Sequence, residues 1–162
     1  MYKTITILAT TLLFLFAVNL SETKAQNNEG GNFGVGVMAG SPTGVSAKIW
    51  MGRSNALHGG LAWSTYRFAG TNLHLHVDYT RYNYDFITAN VGTLAGYYGI
   101  GGRLLSRGAD RSDRVGVRVP FGLNYEFEDN PFEVFVEIAP LLDLTPSSNL
   151  HLDSVAGFRF FF

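Results

Sequence analysis

The sequence predicts an all-β chain, an eight-stranded antiparallel transmembrane β-barrel with up-and-down connections. Three observations lead there. Across residues 26–162 no apolar pattern at i, i+3 and i+4 survives three turns, whereas period-two alternation recurs along most of the length. On the clearest alternating segment the charged residues share a face with glycines, and the other face is apolar or aromatic throughout. Only 15% of the 162 residues are charged, well below the roughly 25% of an ordinary soluble domain, while 14% are aromatic and 19 are glycine.

Composition also excludes several functions. The formal net charge is −1 and no run of Lys or Arg exists, so a nucleic-acid partner is excluded. The absence of cysteine removes a disulfide framework, a thiol nucleophile, a Cys-ligated metal and a lipid-modified amino-terminal cysteine. The length fits one domain.

In chain order, residues 1–25 read as a cleaved signal peptide and 26–162 as the barrel domain. Lys3 supplies a positive start, Ile5 to Val18 an apolar stretch interrupted only by threonines, and Thr23 and Ala25 the small residues before the cleavage point. That stretch is shorter than the roughly 20 residues a membrane-spanning helix needs. Strands follow near 31–40, 44–53, 56–68, 72–82, 92–104, 113–127, 132–143 and 151–162. Turn chemistry separates them, as in Ser41-Pro42-Thr43-Gly44, Ser54-Asn55, Ala69 to Asn72, Ser106 to Ser112, Asp129-Asn130-Pro131 and Pro146 to Asn149. The segment Tyr82 to Val91 is the least clear and extends the fourth strand in one reading. Connections this short require antiparallel neighbours. Pro120 and Pro140 fall inside strands, and bulges are expected there.

The faces decide the class. From Arg114 to Phe127, one side holds Val115, Val117, Val119, Phe121, Leu123, Tyr125 and Phe127. The other holds Arg114, Gly116, Arg118, Pro120, Gly122, Asn124 and Glu126. Glycine weakens a solvated strand, but in a narrow interior it leaves room for an arginine from the neighbouring strand. The apolar face then points to lipid, with Leu73, Leu75, Val77 and Tyr79 as a second example. Aromatics fall near the strand ends: Phe33, Tyr79, Tyr82, Tyr125, Phe127, Phe132, Phe160 and Phe162 on the periplasmic rim, Trp63 and Tyr66 on the outer one.

By parity the interior receives Lys48, Arg103, Arg114, Arg118 and Arg159 against Asp78, Glu133, Glu137, Asp143 and Asp153, five charges of each sign. Unpaired buried charges are costly, so this balance reads as a self-neutralising plug, with Arg118 a plausible partner of Glu137.

These features resemble the small eight-stranded outer-membrane barrels, similar to the OmpA transmembrane domain and to OmpX, and to an uncharacterised family of that shape. The resemblance rests on Tyr97 to Arg103, Arg114 to Pro120, and Glu137 to Pro146. The chain end matches too: Phe158, Phe160 and Phe162 alternate up to a terminal aromatic residue, which in such barrels implies recognition by the barrel-assembly machinery. The short connections argue against receptor or adhesin roles.

Three motifs bear on chemistry. His74, His76 and Asp78 share a face, and zinc can take two histidines and a carboxylate, but spacing indicates no fourth ligand. The preferred reading is a polar lining with the imidazoles bonded to neighbouring tyrosines and serines; no metal or other cofactor is expected. His151 and Ser154 invite comparison with barrels that deacylate lipids, yet on a strand they face opposite ways. The glycine runs Gly34-Val35-Gly36 and Gly99 to Gly102 open no helix, so a phosphate-binding loop is not expected. The function expected is a non-enzymatic, monomeric structural component of the cell outer membrane, contacting outer-membrane lipid. The alternatives are a lipid-modifying enzyme and a narrow channel.

Overall fold

The computed structural model describes residues 31–66, 70–89, 92–107, 112–127 and 130–162; the predicted signal peptide lies outside the described residues. Among the described residues nine strands form: β1 (Phe33–Ser41), β2 (Gly44–Trp50), β3 (Asn55–Tyr66), β4 (Gly70–Ala89), β5 (Gly92–Arg107), β6 (Arg114–Arg118), β7 (Phe121–Phe127), β8 (Phe132–Thr145) and β9 (Asn149–Phe161). Neighbours pair antiparallel, and β9 returns to pair with β1, so the sheet closes into a ring. The unclear segment after Tyr82 does extend the fourth strand, as far as Ala89. The proximal end of the ring is where β1 begins and β9 finishes; the distal end carries the β1–β2, β3–β4, β5–β6 and β8–β9 connections.

Nine strands rather than eight arise because 113–127 is divided at Val119–Pro120. Both pieces, β6 and β7, lie between β5 and β8, so the ring keeps eight positions around its circumference. The bulges expected at the prolines do not form. Arg118 pairs Leu141 and Phe121 pairs Ile138, so no residue is gained across Pro120. Pairing likewise keeps step from Ala139 through Pro140 to Leu141 against β9. A proline removes one N–H but keeps its carbonyl. Here Gly99 N donates to Pro120 O at 2.9 Å and Val119 N to Pro140 O at 3.0 Å, so each site loses one ladder bond and nothing more. Register shifts sit elsewhere, at Val115/Gly116 and Asn83/Ile87.

Alternation separates two environments. Outward positions expose large apolar side chains, Leu75, Val77, Ile100, Val117, Leu123, Val136, Ile138 and Leu152 among them. Inward positions bury Lys48, Asp78, Arg118, Glu133, Asp143 and Arg159. The distribution is that of a soluble protein turned inside out. Two apolar clusters do lie inside: Trp50, Ala56, Tyr82, Ala95, Tyr97 and Phe161 near the proximal end, and Met38, Ala62, Phe135 and Val155. Tyr82, expected on the periplasmic rim, is therefore an interior residue at 3% exposure. Its parity matches Asp78 and Thr80 and not Tyr79. Phe33, Tyr79, Phe127, Phe132 and Phe162 face outward as expected, as does Trp63; the side chain of Tyr66 lies outside what the structure describes.

The inward glycines make room, but for rings and carboxylates rather than the expected arginines. A Cβ on Gly60 would stand 2.1 Å from the His76 ring, one on Gly101 2.0 Å from an Asp78 oxygen, and one on Gly122 2.3 Å from the Tyr97 ring. At the distal β1–β2 turn Gly40 has φ +136°, and its N–H donates to Thr43 Oγ1 at 3.0 Å. A side chain there would collide with the Ser154 carbonyl.

Candidate functional site

The strands bring the predicted charges together in the interior as three connected groups. In the proximal group, Lys48 on β2 donates to Glu133 on β8 at 2.7 Å and lies 4.0 Å from Glu126 on β7. Its ammonium also rests over the rings of Trp50 and Tyr82, 3.8 Å and 4.2 Å from their centroids. Arg159 on β9 pairs with the second oxygen of Glu133, donates through Nε to Ser46 Oγ at 3.0 Å and covers the Phe135 ring. Asn124 joins the two acids, donating to Glu126 at 3.0 Å and to Glu133 at 3.1 Å. This end is filled by rings and closed charge pairs.

The central group is built on Arg118 at the end of β6. It pairs with Glu137 of β8, with Asp78 of β4 at 3.2 Å, and more distantly with Asp153 of β9 at 3.8 Å. Tyr97 donates its hydroxyl to Glu137 at 2.8 Å. His58 Nδ1 lies 3.8 Å from the same carboxylate, while its Nε2 meets the Tyr82 hydroxyl at 2.6 Å. The partnership of Arg118 and Glu137 anticipated from parity is present.

The distal group centres on Asp143, whose two oxygens are held by Arg103, by Arg114 at 3.2 Å and by His151 at 3.0 Å. Arg114 and His151 are the outermost, their side chains 24% and 38% exposed, and they form the distal mouth. His74 and His76 lie on the neighbouring β4, with His74 Nε2 and His76 Nδ1 3.3 Å apart.

All ten predicted interior charges face inward, nine of them at 7% exposure or less, with Arg114 partly exposed. The balance differs from the one expected. Glu126, 3% exposed, adds a sixth carboxylate to five cations among the described residues. It shares the parity of Arg114 and Arg118, so the alternation already contained it. The imidazole partners also differ. His74 and His76 meet each other instead of tyrosine or serine, and His58, absent from the predicted set, takes the tyrosine. No local motif marks His58; its place follows from pairing opposite Lys48 and Asp78. Among the described residues no three His, Asp or Glu side chains converge as metal ligands. His151 and Ser154 do face opposite ways: the imidazole turns inward to Asp143, and Ser154 is on the exposed face. Phe158 and Phe160 on the outer side of β9 continue to Phe162 just beyond it, with Phe132 packed beside them, tilted against Phe158 and edge-on to Phe160 at ring distances of 6.1 and 5.1 Å.

A family model described as "Protein of unknown function (DUF3996)" matches residues 23–162. No curated protein and no solved structure matches the chain.

Proposed function

We propose that this chain, which belongs to the family described as "Protein of unknown function (DUF3996)", is a small transmembrane β-barrel of a bacterial outer membrane with a structural role. The single observation that carries the reading is the inverted distribution of polarity around the ring. A soluble monomer rarely exposes a contiguous apolar patch above a few hundred Å². Here outward residues on every strand position, from Val37 through Leu75, Ile100 and Leu123 to Ile138 and Phe158, present an apolar band. Charged groups fill the inside, paired to one another. An apolar outer band over a polar interior suits a hydrocarbon environment, and a closed ring leaves no unpaired strand edge in it. Small outward residues (Ala39, Ser154 and Ala156) sink a shallow groove of about 860 Å³ beside Tyr98, Leu123, Val136 and Ile138, a shape that acyl chains fill well.

The role follows from the interior. Lys48, Arg159, Glu126 and Glu133 close the proximal half, and rings of Trp50, Tyr82 and Phe161 pack around them. That arrangement supports a scaffold of the envelope, held as a monomer in lipid, in preference to a pore. The resemblance to small outer-membrane barrels and the outward row Phe158, Phe160 and Phe162 support assembly by the barrel-assembly machinery, with the leader in residues 1–25 removed on export.

The test is insertion. The chain is expected to fractionate with outer membrane and to resist extraction by high salt. Ile138→Arg, near the middle of β8, is expected to cost about 2–4 kcal/mol of stability in lipid, while Leu150→Arg, beside the distal end of β9, costs about 0–1 kcal/mol. Equal effects at the two depths, or a fully water-soluble folded chain, sink the membrane reading.

A further inference from the structure

The imidazole pair on β4 is not absorbed by the structural reading. Along the inner face of that strand, solvent access fades from the distal end: His74 keeps 7% of its surface, His76 5%, and Asp78 and Thr80 none. The two histidines therefore keep a little solvent access, between the distal Arg114 and His151 and the fully buried Asp78 and Thr80. Their facing nitrogens, His74 Nε2 and His76 Nδ1, are 3.3 Å apart. At that distance one imidazole can hydrogen-bond the other, so one bridging proton holds the two nitrogens face to face. The same separation, about 3.3 Å, is that of two nitrogens each about 2.0–2.1 Å from one tetrahedral zinc ion, so a metal fits in place of the bridging proton.

We propose that His74 Nε2 and His76 Nδ1 bind one borderline divalent transition-metal ion, zinc by preference, with water from the distal mouth completing its coordination. The remaining nitrogen of His76 supports this. Ligation through Nδ1 leaves the proton on Nε2, which lies 4.0 Å from Asp78 Oδ2. Both Asp78 oxygens are buried without a hydrogen-bond partner, although Arg118 lies 3.2 Å away as an ion pair. At 4.0 Å this carboxylate makes no hydrogen bond to the ring, but its negative charge stands on the side of His76 away from the metal position, where a ligating imidazole commonly finds its second partner. The ring itself has a built seat: it lies over Gly60 on β3, where a Cβ would come within 2.1 Å of it. The nearest cations are already engaged, Arg103 by Asp143 and Arg118 by Glu137, and the described interior holds six carboxylates to five cations. An added positive charge is thus placed where negative charge is in excess. Two protein ligands leave open positions, so the ion is exchangeable, unlike a four-ligand structural zinc.

The test uses the purified full chain in detergent without a polyhistidine tag. Cu²⁺ is titrated and followed by electron paramagnetic resonance, then displaced by Zn²⁺; copper binds such nitrogen sites at least as tightly. One equivalent with nitrogen hyperfine structure is expected, weakened at least tenfold in the His74→Asn, His76→Gln double variant and retained in His151→Asn. Displacement by Mg²⁺ or Ca²⁺ at similar concentration indicates a carboxylate site and overturns the proposal. So does uptake that survives the double variant or disappears with His151→Asn. Should the double variant not fold, the native chain is read by imidazole nitrogen NMR. Zn²⁺ must shift the resonances of His74 and His76 and leave those of His58 unmoved; the opposite pattern refutes the assignment.

Discussion

Glu137 shows how a single interior carboxylate is held from several strands at once. Arg118 and Tyr97 donate to it, and His58 lies 3.8 Å away. Glu137→Gln leaves Arg118 short of one counter-charge, a change that typically costs about 3–5 kcal/mol when the pair is buried. The lower end of that range is expected, because Asp78 still lies 3.2 Å from the guanidinium. Asp113→Asn is the comparison: this exposed residue accepts from Ser106 and from the Arg107 amide, and its charge is worth at most about 1 kcal/mol in water. Denaturant unfolding in detergent measures both, and equal midpoints would mean that Glu137 is well hydrated. The glycines make a second test at this scale. A Cβ on Gly101 meets Asp78 Oδ1 at 2.0 Å and the Val77 carbonyl at 2.3 Å, whereas one on Gly52 meets nothing within 4 Å. Gly101→Ala should cost about 1–3 kcal/mol by overpacking, and Gly52→Ala should leave stability unchanged.

At the level of the strand, the informative feature is the interruption between β6 and β7. Pro120 stands opposite Gly99 and Pro140 opposite Val119, each carbonyl accepting while the reciprocal N–H is missing. The pairing register runs through both prolines unchanged, so the ring tolerates the loss without a bulge. Pro120→Ala restores a donor toward the Gly99 carbonyl, worth about 0.5–1.5 kcal/mol. It also frees the unfolded chain by about 0.4–1 kcal/mol, which offsets the gain. Stability should therefore move by less than about 1 kcal/mol, and the amide that the substitution introduces at position 120 should exchange slowly. A loss beyond about 2 kcal/mol would show that the interruption is required for closure.

For the molecule as a whole, the two halves of the interior differ in a way that bears on transport. The proximal half packs Trp50, Tyr82, Tyr97 and Phe161 around Lys48 and its acids, while the distal half ends in the partly exposed Arg114 and His151. A closed ring of eight strand positions is about as wide as its own side chains. Planar-bilayer recordings of the purified protein should show no discrete openings. Steady unitary conductance would favour the channel alternative and require the proximal tier to move. Mass analysis of protein extracted from membranes should find a chain beginning at Gln26, because Thr23 and Ala25 suit a signal peptidase.

The alternation by itself determined which residues share a face, and with it the all-β class and the inward set from Lys48 to Arg159. Side chains in a strand repeat every two residues, so parity is a local property that no distant contact can alter. The inclusion of Glu126 and Tyr82 inside was legible on the same ground, from their parity with Arg118 and Asp78. Partners and heights in the ring are different. That His58 meets Tyr82, that Arg118 gathers acids from β4, β8 and β9, and that 113–127 serves as two strands in one position are consequences of register and closure. Register depends on how strands far apart in sequence slide against each other, which only the closed sheet decides. The same holds for the 3.3 Å between His74 and His76: their spacing placed both rings on one face, but Gly60 on the adjacent strand set where the His76 ring lies.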